Sequence, residues 1–316
     1  MKYTLQFLSL SIALLAIQSV AVAAKPWIID PHTHFKGATQ IEYERERVQR
    51  VPQDSLGRVV TAENYREVAD RLEIRSTLVI EACDQDKPGF NDWVLNEAQS
   101  ELICGYVARG NLSDPAFPKH FQRYYSTGYL NGFRFRFDEL RGYLNNELAQ
   151  KHLRLLANHG MVIDLLIEAA HADDVSALAT AYPRLRIVIN HCFRAKIIDS
   201  DISMELKSAI IQCARHPNVY CKISSINNFS AVLPFTVAAP TELEYYLPIL
   251  NPVYDAFGPS RVIFATNWGV SAHFGTVDNV KKIIMEFLEP KGQLVMNKAM
   301  YRNAMRVYNI RRRYLR

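Results

Sequence analysis

Short apolar runs alternate with longer amphipathic stretches along almost the whole chain. A run of four to eight apolar residues bounded by turn formers suits a buried strand, whereas apolar residues three and four apart suit one face of a helix. By that rule strands are predicted at 27–30, 77–81, 102–107, 132–137, 161–167, 186–190, 219–223 and 262–266. Helices are predicted at 66–72, 92–101, 116–125, 147–158, 173–181, 203–215, 243–256, 277–288 and 298–307. Gly160 suits the C-cap of the helix at 147–158, and Pro183 stops the one at 173–181.

Several strands are nearly unbroken in their apolar character, such as Val162-Ile163 followed by Leu165 to Ile167, as parallel strands covered on both faces should be. Eight strand–helix units in 316 residues predict an α/β fold of one domain, a (β/α)8 or TIM barrel. An open doubly wound sheet is the competing architecture. It requires a Gly-rich phosphate loop after the first strand, and here that loop reads Pro-His-Thr-His. The long connections at 36–61 and 224–240 are where a barrel grips its substrate.

Chemistry in a barrel sits at the C-terminal ends of the strands. Those positions hold Asp30, His32 and His34, then Glu81, then Arg134 and Arg136, then Glu168 and His171. The last three strands add His191 and Arg194, Lys222 and Ser224, and Thr266, Asn267 and Trp268. Side chains two apart on a strand share a face, so His32 and His34 form a pair able to hold a metal or polarise a carbonyl. A lone H-x-H also occurs on plain strands; His191 at another strand end is what gives the pair weight. Guanidinium groups of Arg134, Arg136 and Arg194 suit an anionic substrate or plain surface ion pairs. Trp93 and Trp268 are candidates for an apolar wall, with core packing as the alternative. His171 reads as the start of the next helix, and His120, His152, His159, His216 and His273 as surface or cap residues.

Composition narrows this picture. With 49% hydrophobic and 22% charged residues the chain is an ordinary globular protein, and a net charge of +5 gives no reason to expect nucleic acid. Arg302, Arg306, Arg311, Arg312, Arg313 and Arg316 bias the C-terminus, which reads as a solvated helix end. Residues 1–24 read as a secretory signal, with Lys2, an apolar stretch over 5–17 and an Ala21-Val22-Ala23 cleavage site, which leaves 25–316 as the mature domain. A secreted or periplasmic protein without stable membrane insertion follows as an expectation. Cys83, Cys104, Cys192, Cys213 and Cys221 include no C-x-x-C; buried free thiols are expected, and one disulfide stays open.

The motifs D-P-H-T-H-F, V-I-N-H-C-F, N-V-Y-C-K-I-S-S-I, F-G-P-S-R-V-I-F-A-T-N-W-G-V and N-A-M-R-V-Y span nearly the whole mature chain. Together they resemble the amidohydrolase superfamily, in its amidohydrolase-related branch of sugar-lactone hydrolases and 2-pyrone-4,6-dicarboxylate lactonase. The resemblance implies a distorted (β/α)8 barrel and hydrolysis of a lactone or similar small cyclic ester bearing a carboxylate. Members commonly bind one or two divalent metals, while some in this branch work without one. His32, His34 and His191 match the family histidines, Arg134 matches a strand-four arginine, and Arg194 matches an arginine that follows the strand-six histidine in the dicarboxylate-lactonase type. Asn267 stands where the family carries an aspartate within S-D-W, and Asn190 stands where an aspartate is common.

The aspartate takes a proton from the attacking water, later delivers one to the leaving group, and can ligate metal. An amide does neither proton transfer, and losing a general base costs on the order of 10²–10⁴ in rate. Three accounts follow: a hydrolase whose base lies elsewhere (Glu81, Glu168 or His171) or whose substrate is activated; a weakened relative that binds a small acid or lactone; or a decarboxylase. His32, His34 and His191 are expected either to hold one divalent ion, zinc first, or to polarise a carbonyl themselves. Arg134, Arg136, Arg194 and Trp268 are the expected substrate contacts. A homo-oligomer is left open.

Overall fold

The computed structural model of the chain describes residues 27–45, 58–82, 88–137, 139–229, 238–271 and 274–310. The expected leader, Cys83 and His273 lie outside the described residues. Eight parallel strands follow one another in chain order: β1 (Ile28–Thr33), β2 (Ile74–Ile80), β3 (Ile103–Arg109), β4 (Leu130–Arg136), β5 (Val162–Leu166), β6 (Arg186–Ile189), β7 (Val219–Ser224) and β8 (Val262–Ala265). A parallel bridge between Thr33 and Trp268 brings the last strand back to the first. The result is a nearly closed (β/α)8 barrel, as the alternating pattern predicts.

The strands are buried at most positions, Arg75 in β2 being exposed, and their alternation sorts side chains to two sides. In β2, Leu78 and Ile80 belong to the inner cluster and Ile74 and Val79 to the outer one. The inner cluster also takes Ile29, Val107, Val162 and Val188, with Val307 and Tyr308 from the C-terminal segment. The larger outer cluster packs the helices on the barrel, with Phe121, Leu153, Val175, Ile210, Ile249 and Ile283 as examples. At Gly132 a Cβ would lie 2.2 Å from the Val162 carbonyl oxygen, so only glycine fits beside β5.

Helix starts follow side-chain chemistry. Thr61 and Asn64 form a capping box that begins the helix Ala62–Arg71 earlier than apolar spacing suggests. Two helices interrupt what reads as loop: Ala38–Arg45 and Glu139–Leu144. The stretch predicted as one helix at 298–307 is a π-turn, Lys298–Arg302, followed by Asn303–Val307. There the Asn303 amide donates to the carbonyls of Pro259 and Val262 at 2.9 and 2.7 Å, anchoring the segment to β8. No helix among the described residues is long and apolar enough to cross a membrane.

Candidate active site

The C-terminal mouth of the barrel holds a cavity of about 350 Å³, and His34, Arg134, His191, Ser225 and Asn267 are among its lining residues. Phe137, Leu166, Phe229, Val270 and Phe274 line it too, as do Arg194, Lys196 and Asn228. Residues His34, Arg134, His191 and Asn267 are thus brought together from four strand ends, as the sequence suggests. His32 is buried beneath them and is not among the lining residues, its ring centroid 4.9 Å from that of His34 and 4.5 Å from that of His191.

His191 opens a turn that no glycine relieves. His191, Cys192, Phe193 and Arg194 all have positive φ, at 51°, 47°, 62° and 52°. Left-handed backbone costs roughly 1–2 kcal/mol per residue. Burial of Cys192 and Phe193 offsets this, together with bonds from Phe193 N to Asn190 O and from Ala195 N to Cys192 O. The turn directs His191 to the cavity, with Nδ1 2.8 Å from Ser224 Oγ. It also carries Arg194 to the rim, where its guanidinium donates to Glu168 at 2.8 Å and lies over the Phe137 ring.

His34 has its tautomer set by its neighbours. Its Nδ1 lies 3.0 Å from the Ile80 carbonyl oxygen, which only accepts, so Nδ1 carries the proton and Nε2 a lone pair. The side chain of Asn267 meets Nε2 at 3.1 Å and the Ser225 hydroxyl at 2.8 Å. Turning the amide so that Nδ2 donates to Nε2 and Oδ1 accepts from Ser225 satisfies every lone pair, and amide oxygen and nitrogen exchange places without changing shape. A carboxylate in the same position would set an oxygen lone pair against a nitrogen lone pair. Asn267 also has φ of 56°, a left-handed value that asparagine tolerates well.

Beneath the cavity is a buried polar column. Lys222 Nζ lies 3.2 Å from His32 Nδ1 and donates to Asp164 Oδ1 at 3.0 Å. Tyr308 donates to the other oxygen of Asp164 at 2.6 Å, and the Asn190 amide donates to Oδ1 as well. Asn190, which stands where an aspartate is common in the family that the chain resembles, serves a carboxylate instead of being one. Sequence reasoning missed Asp164 and Tyr308; an aspartate inside an apolar strand, Val-Ile-Asp-Leu-Leu, was the available signal. Arg134 Nη1 lies 3.4 Å from His32 Nε2, so the ring has a cation at each nitrogen.

Glu81 gathers the arginines. It accepts from Arg134 Nε at 2.7 Å and from Arg136 Nη2 at 2.9 and 3.0 Å. Arg136 is therefore turned toward Glu81 and is not among the cavity-lining residues, contrary to the expected substrate contact. Arg134 still lines the cavity, with Nη1 3.4 Å from His32 Nε2. Trp268 departs similarly: it packs against Phe35 and Tyr65 with centroids 6.1 and 4.9 Å away, because its strand end faces the outer core. His152, expected at the surface, is buried and bonds the Leu112 carbonyl. His171 does begin the next helix. Cys104, Cys192, Cys213 and Cys221 are buried free thiols.

Burial and the surrounding cations decide protonation. Burial first, then Arg134, lowers the His34 imidazole to about 3. Burial and Lys222 push His32 well below its ordinary value, and burial with Arg134 and Lys222 does the same to His191. All three rings are neutral at neutral pH. Burial pushes the Lys222 ammonium down to about 8 against the support of Asp164. Against the burial penalty, Arg134, Arg136 and Arg109 hold the Glu81 carboxyl well below the usual carboxylate range. Of the bases weighed in place of aspartate, Glu81 is thus locked in ion pairs, while Glu168 is exposed and paired with Arg194.

This donor set does not fit a divalent metal. Histidine ligands ordinarily give their second ring N–H to a carboxylate or carbonyl. His34 does so, but His32 faces the Lys222 ammonium there, and its other nitrogen faces Arg134. Among the described residues the buried carboxylates near these rings are committed: Glu81 and Asp164 hold Arg134 and Lys222, while Asp30 accepts from Tyr65 and Thr266. Among the described residues no group of three or more His, Cys, Asp or Glu is arranged to hold a metal.

Comparison with known proteins agrees with the fold. An L-fucono-1,5-lactonase of Burkholderia ambifaria is 33% identical over 137 residues, 42% of this chain and 44% of that protein's length. An L-fucono-1,5-lactonase of Burkholderia multivorans is 22% identical over 279 residues, covering 83% of this chain and 89% of its own. A solved amidohydrolase from Burkholderia multivorans with bound zinc has the same fold, with a TM-score of 0.77 at 19% identity over 90% of this chain and 100% of that one. The family model described as Amidohydrolase matches residues 29–310, and the chain belongs to the amidohydrolase family.

Proposed function

We propose that the protein hydrolyses a small lactone without a metal ion. The reading is carried by one juxtaposition: Arg134, held by Glu81, and neutral His191, held by Ser224, line the same cavity at the barrel mouth. Arg134 Nη1–H is a fixed donor for the oxyanion that forms as water adds to the carbonyl. With Nδ1–H donated to Ser224, His191 offers Nε2 as acceptor for the water's proton. His34 and Asn267 hold one another and Ser225 in place beside that base. His32 acts from below, keeping Arg134 and Lys222 apart as a neutral spacer. The substrate is a small molecule, with Arg194 at the rim able to meet one carboxylate. Export by the leader at 1–24 belongs to the same proposal.

The test is a pH-stat assay of purified protein against a panel of lactones, before and after dialysis against a chelator. Turnover unaffected by the chelator is expected. Absence of turnover on every lactone would overturn the hydrolase reading. Loss of turnover restored by added zinc would overturn the metal-free part. A second reading, binding without turnover, is favoured by the amide at Asn267. It predicts that a lactone raises the melting temperature and is recovered intact.

A further inference from the structure

Resting on the lactone reading, we infer that the substrate is an aryl lactone, whose ring oxygen leaves as a phenolate, and not a polyhydroxylated sugar lactone. Two independent observations lead there.

The first is the lining of the cavity above the floor. Phe137, Leu166, Phe229, Val270 and Phe274 present apolar surface on which an aromatic ring packs, each good aromatic contact contributing about 0.5–1.5 kcal/mol. Two cationic groups of the wall each have one partner, Arg194 holding Glu168 at the rim and Lys196 donating to the Asn228 carbonyl at 3.0 Å. Among the described residues, Asn228 Oδ1 is the wall's buried side-chain acceptor without a partner. A sugar lactone brings three or more hydroxyls to this largely apolar surface. Each hydroxyl buried without a partner costs about 1–3 kcal/mol. A volume of about 350 Å³ suits a compact bicyclic molecule at the small end of ligand cavities.

The second is that, among the described residues, no carboxylate lines the cavity. Asn267 does not titrate, Glu81 is committed to Arg134 and Arg136, and Glu168 is not among the cavity-lining residues. His191 then serves alone, and a ring so short of basicity takes a proton poorly. The acyl group must supply the reactivity. A phenol ionises near pH 10, whereas an aliphatic alcohol lies near water's value of about 16. The aryl ester therefore has both the more electrophilic carbonyl and the better leaving group.

The step balances within the site. Water's oxygen bonds to the carbonyl carbon, the π pair moves to the carbonyl oxygen against Arg134, and one water proton passes to His191 Nε2. Collapse breaks the bond between that carbon and the ring oxygen, which keeps the electron pair as phenolate. The His191 proton then passes to the phenolate, and the product is a hydroxyphenyl carboxylic acid that ionises in solvent.

The experiment compares kcat/KM for dihydrocoumarin, δ-valerolactone and L-fucono-1,5-lactone, with calorimetric binding of the corresponding lactams in parallel. Dihydrocoumarin should exceed both others by about 100-fold or more, and its lactam should bind at least about tenfold more tightly than the other two. In Phe274→Gln, a half-buried position whose change should leave folding intact, the aryl preference should shrink about tenfold. Equal or faster turnover of the sugar lactone overturns the inference while sustaining the hydrolase reading. No turnover of any lactone overturns the hydrolase reading; the lactam affinities then decide the cavity's preference on their own, and equal affinities overturn it.

Discussion

Acidification should unfold this protein by way of its three central histidines. His32, His34 and His191 are neutral in the fold because burial and neighbouring cations penalise their protonated forms. In the unfolded chain each titrates near 6.5. Below that value the unfolded state binds protons that the native state refuses, so stability falls as pH falls. The loss per ring is RT ln(1 + 10^(6.5 − pH)) while the native ring stays unprotonated. Between pH 7.5 and 5.5 this is about 1.4 kcal/mol for each histidine, or about 4 kcal/mol for all three. That is a large fraction of the roughly 5–15 kcal/mol that holds a protein folded. Glu81, held low by its arginines, adds its loss only at more acidic pH. Asp30, pushed up by burial, works in the opposite sense, so the difference between variants is the cleaner quantity. Urea melts at pH 7.5 and 5.5 should show wild type losing stability, and His191→Gln losing about 1.4 kcal/mol less across the same interval. An equal loss in wild type and His191→Gln would refute the reasoning.

Three other outcomes follow from the column and the amide. Lys222→Met leaves the Asp164 carboxylate buried without its ammonium and should cost about 3–5 kcal/mol in urea melts at pH 7, while Lys222→Met with Asp164→Leu should recover most of it. Below about pH 8 the Lys222 ammonium donates to His32 Nδ1 and leaves the proton on Nε2; above it the ring proton should move to Nδ1, and ¹⁵N shifts of His32 that stay constant from pH 7 to 9 would contradict this. Asn267→Asp places a carboxylate against the His34 lone pair, draws a proton into the pair and restores a base, so kcat/KM should rise at least about tenfold; no gain means that the base lies elsewhere.

The barrel was legible because strand and helix periods differ and the chain respects both. The mouth was legible at His34, Arg134, His191 and Asn267 because strand ends in a barrel converge. What the sequence hid depends on contacts between distant strands. Glu81 draws Arg136 out of the cavity across 55 residues, and Tyr308 reaches Asp164 across 144. The turn from His191 to Arg194 is left-handed without a glycine to announce it, held by the burial of Cys192 and Phe193. Ala38–Arg45 escaped notice because its eight residues carry few apolar positions for a helical period to mark. The metal expectation came from the three histidines and the family resemblance; the cations behind the rings, Lys222 and Arg134, are what count against it.

The account stands most directly on His191 as the group that takes the water's proton. The measurement is kcat/KM of wild type and His191→Gln on dihydrocoumarin in chelator-treated buffer at pH 7.5, with urea melts to show that both are folded. The account predicts a fall of about 10²–10⁴ in the variant, the range of general-base catalysis. A folded His191→Gln protein with wild-type turnover would contradict it.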